Sequence, residues 1–403
     1  MAKRILIYTN HFYPEHFKVN EIVDWLSAEG HNIRVVTGIP NYPSGRYYKG
    51  YGLSSIFKTS YRENVIVNRL PLIPRGNGNS FMLILNYLSY FISSFLFTIY
   101  LLFKKKYDFI FVHHTSPILI AFHPIIYSLF YKKTKKYLWD LDIWPETLDA
   151  MKVIKSKILL FQILKIVKFI YSFYDKILIS SNGIKNTIQQ RFKNEIIYFP
   201  NWAEKDIEQN INHKQIKIHL PENRFIIMYT GNIGEAQNFI PLIDTIKHLK
   251  DESLFWVFIG SGRFKKEFET KLRLNNLSHL YLFHDPVEVA AIPSYAKLAN
   301  AMFLSLKRHD VFSKTIPAKL QSYLALQKPI IGVLQGEAAN IIKVSECGIV
   351  QENGDYLELA QQIIKLIKLN SEEIKKMGEN GRNFYNNSFS QSKRRNQILN
   401  LFK

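Results

Sequence analysis

The sequence predicts an α/β protein of two doubly wound domains, each a parallel sheet with helices on both faces, facing a common cleft. Three observations carry this. Short continuous apolar runs alternate with amphipathic stretches from the first residues onward, the pattern of strands buried on both faces. That rhythm stops in a polar stretch at 203–224 and then starts afresh. The length, 403 residues, suits two or three domains of about 100–200 residues each.

The elements follow in order. Residues 5–8 read as a buried strand and 17–29 as a helix with Ile22, Val23 and Leu26 on one face. Gly30 sits where a helix C-cap belongs, and 33–37 is the second strand. Further strands fall at 109–112, 137–141 and 177–180. After the polar stretch come strands at 225–229, 255–259, 301–306 and 329–334, with a helix at 240–249. The two halves share no residue-level repeat. The expected domains are 1–203 and 204–384.

Composition narrows the class. Apolar residues make up 47 % and charged residues 21 %, which excludes disorder as the main state. A single cysteine, Cys347, excludes an intrachain disulfide framework and a Cys-rich zinc site, and fits a reducing compartment. The first residues carry no signal-peptide core, so a cytoplasmic protein is expected. Lys and Arg number 53 against 33 Asp and Glu, a net charge of +20 that predicts an anionic partner. None of the recognition motifs for nucleic acid is present, so no nucleic-acid partner is expected.

One segment departs from the soluble pattern. Residues 81–103 run 23 positions without a charge and are closed by Lys104, Lys105 and Lys106. The length suits a membrane span, a membrane-interfacial helix or a buried core helix. Asn86, Ser89, Ser93, Ser94 and Thr98 weigh against a span. Apolar 118–131, followed by Lys132, Lys133, Lys135 and Lys136, and the basic, aromatic-rich 154–173 favour a helix lying on an anionic leaflet.

Several motifs suit phosphate chemistry. Tyr229-Thr230-Gly231-Asn232-Ile233-Gly234 ends a strand in two glycines three apart, which lets backbone N–H groups approach a phosphate. Alone it also describes an ordinary tight turn. A second junction, Ile259-Gly260-Ser261-Gly262-Arg263, raises the phosphate reading. Neither is the dinucleotide fingerprint or the Walker loop, so NAD enzymes and ATPases lose ground. Pro317 fits N1 of a helix, and Lys314 and Lys319 near that start suit a diphosphate, though lysines at helix starts are common. Asp140-Leu141-Asp142 is a possible cation pair, but its place in the first sheet makes metal unexpected. His113 and His114 close a strand, where a cleft-facing role and a structural one are equally open. No zinc spacing and no nucleophile elbow occurs.

Taken together the residues resemble a known family. The runs His11-Phe12-Tyr13-Pro14-Glu15, Pro40-Asn41-Tyr42-Pro43-Ser44-Gly45, Thr115-Ser116-Pro117, Asp142-Ile143-Trp144-Pro145-Glu146, Pro200-Asn201-Trp202, Gly231-Asn232-Ile233-Gly234 and Pro317-Ala318-Lys319-Leu320 carry the resemblance. They are similar to the family 4 retaining glycosyltransferases, in the WbuB-like branch that builds bacterial O-antigen and capsule repeat units. The resemblance implies a GT-B fold, a nucleotide-sugar donor held by the second domain, an acceptor held by the first, and a final helix (385–403) returning to the first. It also implies a UDP-sugar, of the UDP-FucNAc type, and a polyprenyl-diphosphate-linked acceptor at the cytoplasmic face of the plasma membrane.

The sequence departs from the family where Ser313 and Gln321 replace the usual glutamate pair, and where Asn232 and Gln237 replace an Arg and a Lys. The glycine pair usual around residues 16–19 is also missing. The implied donor contacts are Gly231, Asn232, Gly234, Arg263, Ser313, Lys314, Lys319 and Gln321. The acceptor contacts are Glu15, Asn41 and Tyr42. Lys319 stabilises the leaving group, and Asp142 and His114 orient the acceptor or handle its proton, with no metal and no cofactor. The alternatives are a UDP-sugar 2-epimerase of the same fold and a non-catalytic membrane-associated protein.

Overall fold

Strands that are apolar on both faces need cover on both sides, and the computed structural model provides it twice. It describes residues 1–53, 58–104, 106–211, 216 and 218–403. Lys105, and residues 212–215 and 217 of the polar connection, lie outside the described residues.

The first unit comprises Met1–Ser180, Ile184–Phe199 and Arg395–Lys403. Its strands are β1 (Arg4–Thr9), β2 (Asn32–Gly38), β3 (Lys58–Arg62), β4 (Val65–Leu70), β5 (Phe109–His114), β6 (Lys135–Asp140), β7 (Lys176–Ile179) and β8 (Glu195–Tyr198). They form one sheet in the order β3-β4-β2-β1-β5-β6-β7-β8, parallel except for β3 against β4. The chain winds outward from β1 on one side and from β5 on the other, so the carboxyl ends of these two neighbours mark the switch point where ligands bind in such sheets. The β3–β4 hairpin and β8 were not read from the sequence.

The second unit comprises Ser181–Gly183 and Pro200–Arg394. Its strands are β9 (Phe225–Thr230), β10 (Leu254–Ile259), β11 (Tyr281–His284), β12 (Ala301–Ser305), β13 (Ile330–Val333) and β14 (Gly348–Gln351). The order is β11-β10-β9-β12-β13-β14, parallel throughout, with its switch point between β9 and β12. β11 and β14 went unread in the sequence.

The boundaries differ from those expected. The main run of the second unit begins at Pro200, and part of the polar connection is structured, since Ala203 and Ile207 are buried in that unit's core. Only Arg395–Lys403, not the whole of 385–403, is grouped with the first unit, because Tyr385 and Phe389 belong to the second unit's core. Phe402 docks against Phe109, Phe111 and Tyr137 at ring distances of 5.1, 6.0 and 5.7 Å.

Helix Ser80–Leu102 of the first unit is inside-out. Asn86, Tyr90, Ser94 and Thr98, spaced by four, are all buried. Ile84, Leu88, Ile92 and Leu96, spaced by four and offset by two, are 44–61 % exposed. An offset of two residues is about 200° around an α-helix, so the two rows occupy opposite faces. The buried row is fully engaged. Asn86 Nδ2 donates to the Ile73 carbonyl (2.6 Å), and Tyr90 OH donates to the Thr9 carbonyl (2.9 Å). Ser94 Oγ bonds His123 Nε2 (2.6 Å), and Thr98 Oγ1 bonds Tyr8 OH (2.8 Å). Paired polar groups can be buried at little net cost, whereas the outward apolar row gains nothing from water. Of the polar residues that weighed against a span on sequence, Asn86, Ser94 and Thr98 face the protein interior, and Ser89 and Ser93 are half-buried.

Candidate active site

In the second unit the site forms at the carboxyl ends of β9 and β10, where two glycine turns interlock. Gly231 N–H donates to the Ile259 carbonyl (2.8 Å), and Ile233 N–H to the Ser261 carbonyl (2.8 Å). A Cβ at Gly260 would lie 1.9 Å from the Gly231 carbonyl oxygen, and one at Gly262 would lie 2.2 Å from that of Ile233. Only glycine permits backbones to approach so closely.

Above this floor runs Lys319, from the first turn of helix Ala318–Ala325. Its Cε lies 2.6 Å from where a Cβ on Gly231 would stand, and its Nζ sits 5.3 Å over the Tyr229 ring. Gly231 has φ +122°, so a side chain there would be strained as well as blocked. Burial pushes the Lys319 ammonium down to about 8. Among the described residues no carboxylate pairs with it. A half-buried ammonium without a counter-charge favours a bound anion.

The other expected donor contacts divide. Gly231, Ile233 and Gly234 already use their amides, the last on Gln237 Oε1 (2.9 Å), whereas the Asn232 N–H of this turn has no acceptor among the described residues. Arg263 is exposed beside Gly262. Lys314 is ion-paired with Asp310 (2.6 Å), and Ser313 Oγ donates to the Asp310 carbonyl (2.8 Å), so both serve their own short helix. Gln321 is 1 % exposed. Its side-chain amide faces the Pro317 and Ala318 carbonyls, to which the nitrogen donates at 3.0 and 3.1 Å once the amide is assigned with nitrogen toward them, so it is not placed to meet a ribose. Pro317 is the N-cap rather than N1.

In the first unit the residues after β1, β2 and β4 gather at the carboxyl edge. Glu15 is 1 % exposed and is a scaffold. Its Oε1 accepts from the amides of Asn41 (2.8 Å) and Tyr42 (2.6 Å), and its Oε2 bonds His11 Nδ1 (2.8 Å). Asn41 is buried, with Nδ2 donating to the Ile39 carbonyl (3.0 Å). Tyr42 remains open, 41 % exposed. Arg75, unnoticed in the sequence, completes the group by donating through Nη2 to His11 Nε2 (2.9 Å). Burial lowers the pKa of His11, which fits an imidazole that accepts at Nε2.

His114 and Asp140 differ from expectation. Their side chains are fully buried, His114 Nδ1 bonds Asp140 Oδ1 (2.6 Å), and Tyr171 OH donates to Asp140 Oδ2. His114 has no atom at the surface with which to meet a substrate in this conformation. Neighbouring His113 bonds Thr9 Oγ1 (3.0 Å), and burial holds it neutral, with its pKa down to about 3. Asp142 is half-buried and makes no hydrogen bond among the described residues, so it is the carboxylate of the Asp-x-Asp pair left available.

The chain is similar to known proteins. Residues 210–384 match the family model described as Glycosyl transferases group 1. WcaI of Escherichia coli (strain K12), named as a colanic acid biosynthesis glycosyl transferase, is 25 % identical over 342 residues, covering 80 % of this chain and 81 % of its own. The chain is a glycosyltransferase of GT-B fold. Two solved structures share the glycosyltransferase's architecture. Sucrose-phosphate synthase from Thermosynechococcus elongatus superposes with a TM-score of 0.72 at 14 % identity, covering 100 % of this chain and 98 % of that one. Anabaena HepE, solved with UDP and glucose, gives 0.67 at 12 % identity, covering 100 % and 99 %.

Proposed function

We propose that this glycosyltransferase moves a sugar, with retention at the anomeric carbon, from a UDP-sugar to a polyprenyl-diphosphate-linked acceptor. The reading places it in family 4, near the WbuB-like branch, in assembly of an O-antigen or capsule repeat unit. The observation that carries it is Lys319, an ammonium without a counter-charge among the described residues, over Gly231 at the switch point of the second sheet. As the sugar–phosphate bond breaks, negative charge collects on the leaving diphosphate, and a preorganised cation there lowers the barrier. HepE's complex with UDP and glucose supports the donor class, and WcaI's name supports the polysaccharide setting. A donor with an N-acetylated amino sugar, of the UDP-FucNAc type, is the expected sugar class.

The acceptor class is supported by helix Ser80–Leu102, whose apolar row faces outward. Helix Lys157–Tyr171 adds exposed Ile158, Phe161 and Phe169, with Lys104, Lys106, Lys132 and Lys133 exposed on the same unit. An apolar ridge set among lysines suits the cytoplasmic leaflet of a plasma membrane, where a lipid-linked acceptor resides. No metal is required in this proposal.

The test is purified protein with a panel of nucleotide sugars and polyprenyl-diphosphate-GlcNAc, followed by NMR of the product's anomeric centre. UDP release that depends on acceptor, with a retained configuration, is expected. An epimerised nucleotide sugar, or no turnover with any donor, refutes it.

A further inference from the structure

The carboxyl edge of the first sheet holds two guanidinium groups, Arg69 and Arg75, that form no ion pair among the described residues. Arg69, on β4, is 5 % exposed. It donates to Thr59 Oγ1 (2.5 Å) and the Tyr13 carbonyl (2.7 Å), with its Nε buried and unbonded. Arg75 lies between two rings, its guanidinium carbon 5.2 Å from the centre of Tyr42 and 5.4 Å from that of Tyr87. Nη2 is held by His11, Nε is buried without a partner, and Nη1 has none among the described residues. The nearby carboxylate, Glu15, is turned away by its bonds to His11 and to the Asn41 and Tyr42 amides. His11, fixed by Glu15 on one nitrogen, accepts from Arg75 on the other, so the fork is aimed by a neutral group that leaves its charge intact.

We propose that Arg75 is the phosphate-binding residue of the acceptor subsite and takes the diphosphate of the lipid-linked acceptor. The inference rests on the acceptor class proposed above. A planar fork matches phosphate oxygens better than a point charge does, and partial burial between aromatic rings strengthens the contact. Arg75 also lies five residues ahead of helix Ser80–Leu102. A lipid whose tail is beside the helix's apolar row would present its headgroup near this end. Open Tyr42 then forms one wall of the phosphate pocket.

The test titrates farnesyl diphosphate, inorganic diphosphate and farnesol into the full chain, with sedimentation on phosphatidylglycerol vesicles as a separate arm. Wild type should bind both diphosphates and not farnesol at the same concentrations. Arg75→Ala should weaken diphosphate binding on the order of ten- to a hundredfold, and Arg75→Lys should recover part of it. Vesicle sedimentation should be the same in all three proteins. Lys319→Ala, which alters the donor side, is the comparison variant, and farnesyl diphosphate binding should fall less in it than in Arg75→Ala. Unchanged affinity in a folded Arg75→Ala protein overturns the inference. So does binding lost in Lys319→Ala but kept in Arg75→Ala, or a loss of vesicle binding that parallels the loss of diphosphate binding. Diphosphate binding through Arg75 without sugar transfer to any lipid-linked acceptor would instead refute the proposed function and leave this site standing.

Discussion

Lys319 crosses Gly231 so closely that the glycine's missing side chain is the space its Cε occupies. Replacing Lys319 with Ala should lower turnover by about 10²–10³-fold, the usual loss when one stabilising donor is removed from a developing anion. The melting temperature should not fall, because a buried unpaired ammonium opposes folding. Steady-state kinetics beside a thermal melt decides, and a variant within a few-fold of wild type would take Lys319 out of the site. Arg263→Ala should have the smaller effect, since Arg263 is exposed.

The same ammonium gives a pH signature. Its folded pKa is lowered to about 8 from 10.5 by burial, so the charge is present below that pH and lost above it. Donor affinity should therefore fall as pH rises through about 8, and binding there should take up a proton, which calorimetry in buffers of different ionisation enthalpy detects. The stability sign is opposite to that of a salt-bridged lysine. Between the folded and unfolded pKa values the unfolded chain binds more protons, so this group's contribution to stability rises with pH. That rise should vanish in Lys319→Ala.

The two aspartates of Asp140-Leu141-Asp142 should separate cleanly. Asp140→Ala leaves His114 and Tyr171 buried without their partner and should cost about 3–5 kcal/mol of stability, as for other broken buried pairs. Asp142→Ala should fold normally and lose turnover. Activity should survive excess EDTA, because Asp140 is already bonded on both oxygens. Loss in EDTA with rescue by magnesium or manganese would show the opposite.

Vesicle binding should depend on both the ridge and its lysines. Replacing Leu88, Ile92 and Leu96 with Ser should release the protein from vesicles without unfolding it, since these side chains are exposed or half-exposed. Changing Lys104, Lys106, Lys132 and Lys133 to Gln should weaken binding by roughly 1 kcal/mol each. That part alone should fade as salt shortens the Debye length below about 8 Å. Wild type that ignores anionic vesicles and stays monodisperse without detergent would contradict the proposal.

Much of the fold was legible because its strands are apolar on both faces, as 5–8 and 255–259 are, and such runs stand out from their surroundings. β4 did not stand out, because buried Asn68 and Arg69 interrupt it, and Arg69 finds its partners at Thr59 and Tyr13, outside the strand. β8 and β14 are partly exposed strands in which polar or small residues flank the apolar ones (Glu195 ahead of β8's apolar residues, Gly348 and Gln351 around those of β14), so neither forms a run that stands out. In the site, the glycine turns and Lys319 were readable from local spacing. Gln321, Lys314 and Glu15 were polar residues at plausible places, and only their bonding partners show that they hold the frame. Arg75 gave no signal, since a lone arginine beside Gly76 resembles any loop residue until His11 and the two tyrosines are seen around it.

The hydrogen-bonded row on helix Ser80–Leu102 also sets a limit on depth. To cross a bilayer the helix would have to leave the sheet, exposing Asn86, Tyr90, Ser94 and Thr98 to hydrocarbon and stripping Tyr8, His123 and the Thr9 and Ile73 carbonyls of their partners. Each unmatched polar group in lipid costs several kcal/mol, and four such losses exceed what the outward row returns. On the leaflet proposed above, the helix would therefore float no deeper than its own half-cylinder, like a keel fixed to a hull. A protein bound in that way would leave the lipid surface as it arrived, folded, and its residence there would be set by composition and salt rather than by an insertion machinery.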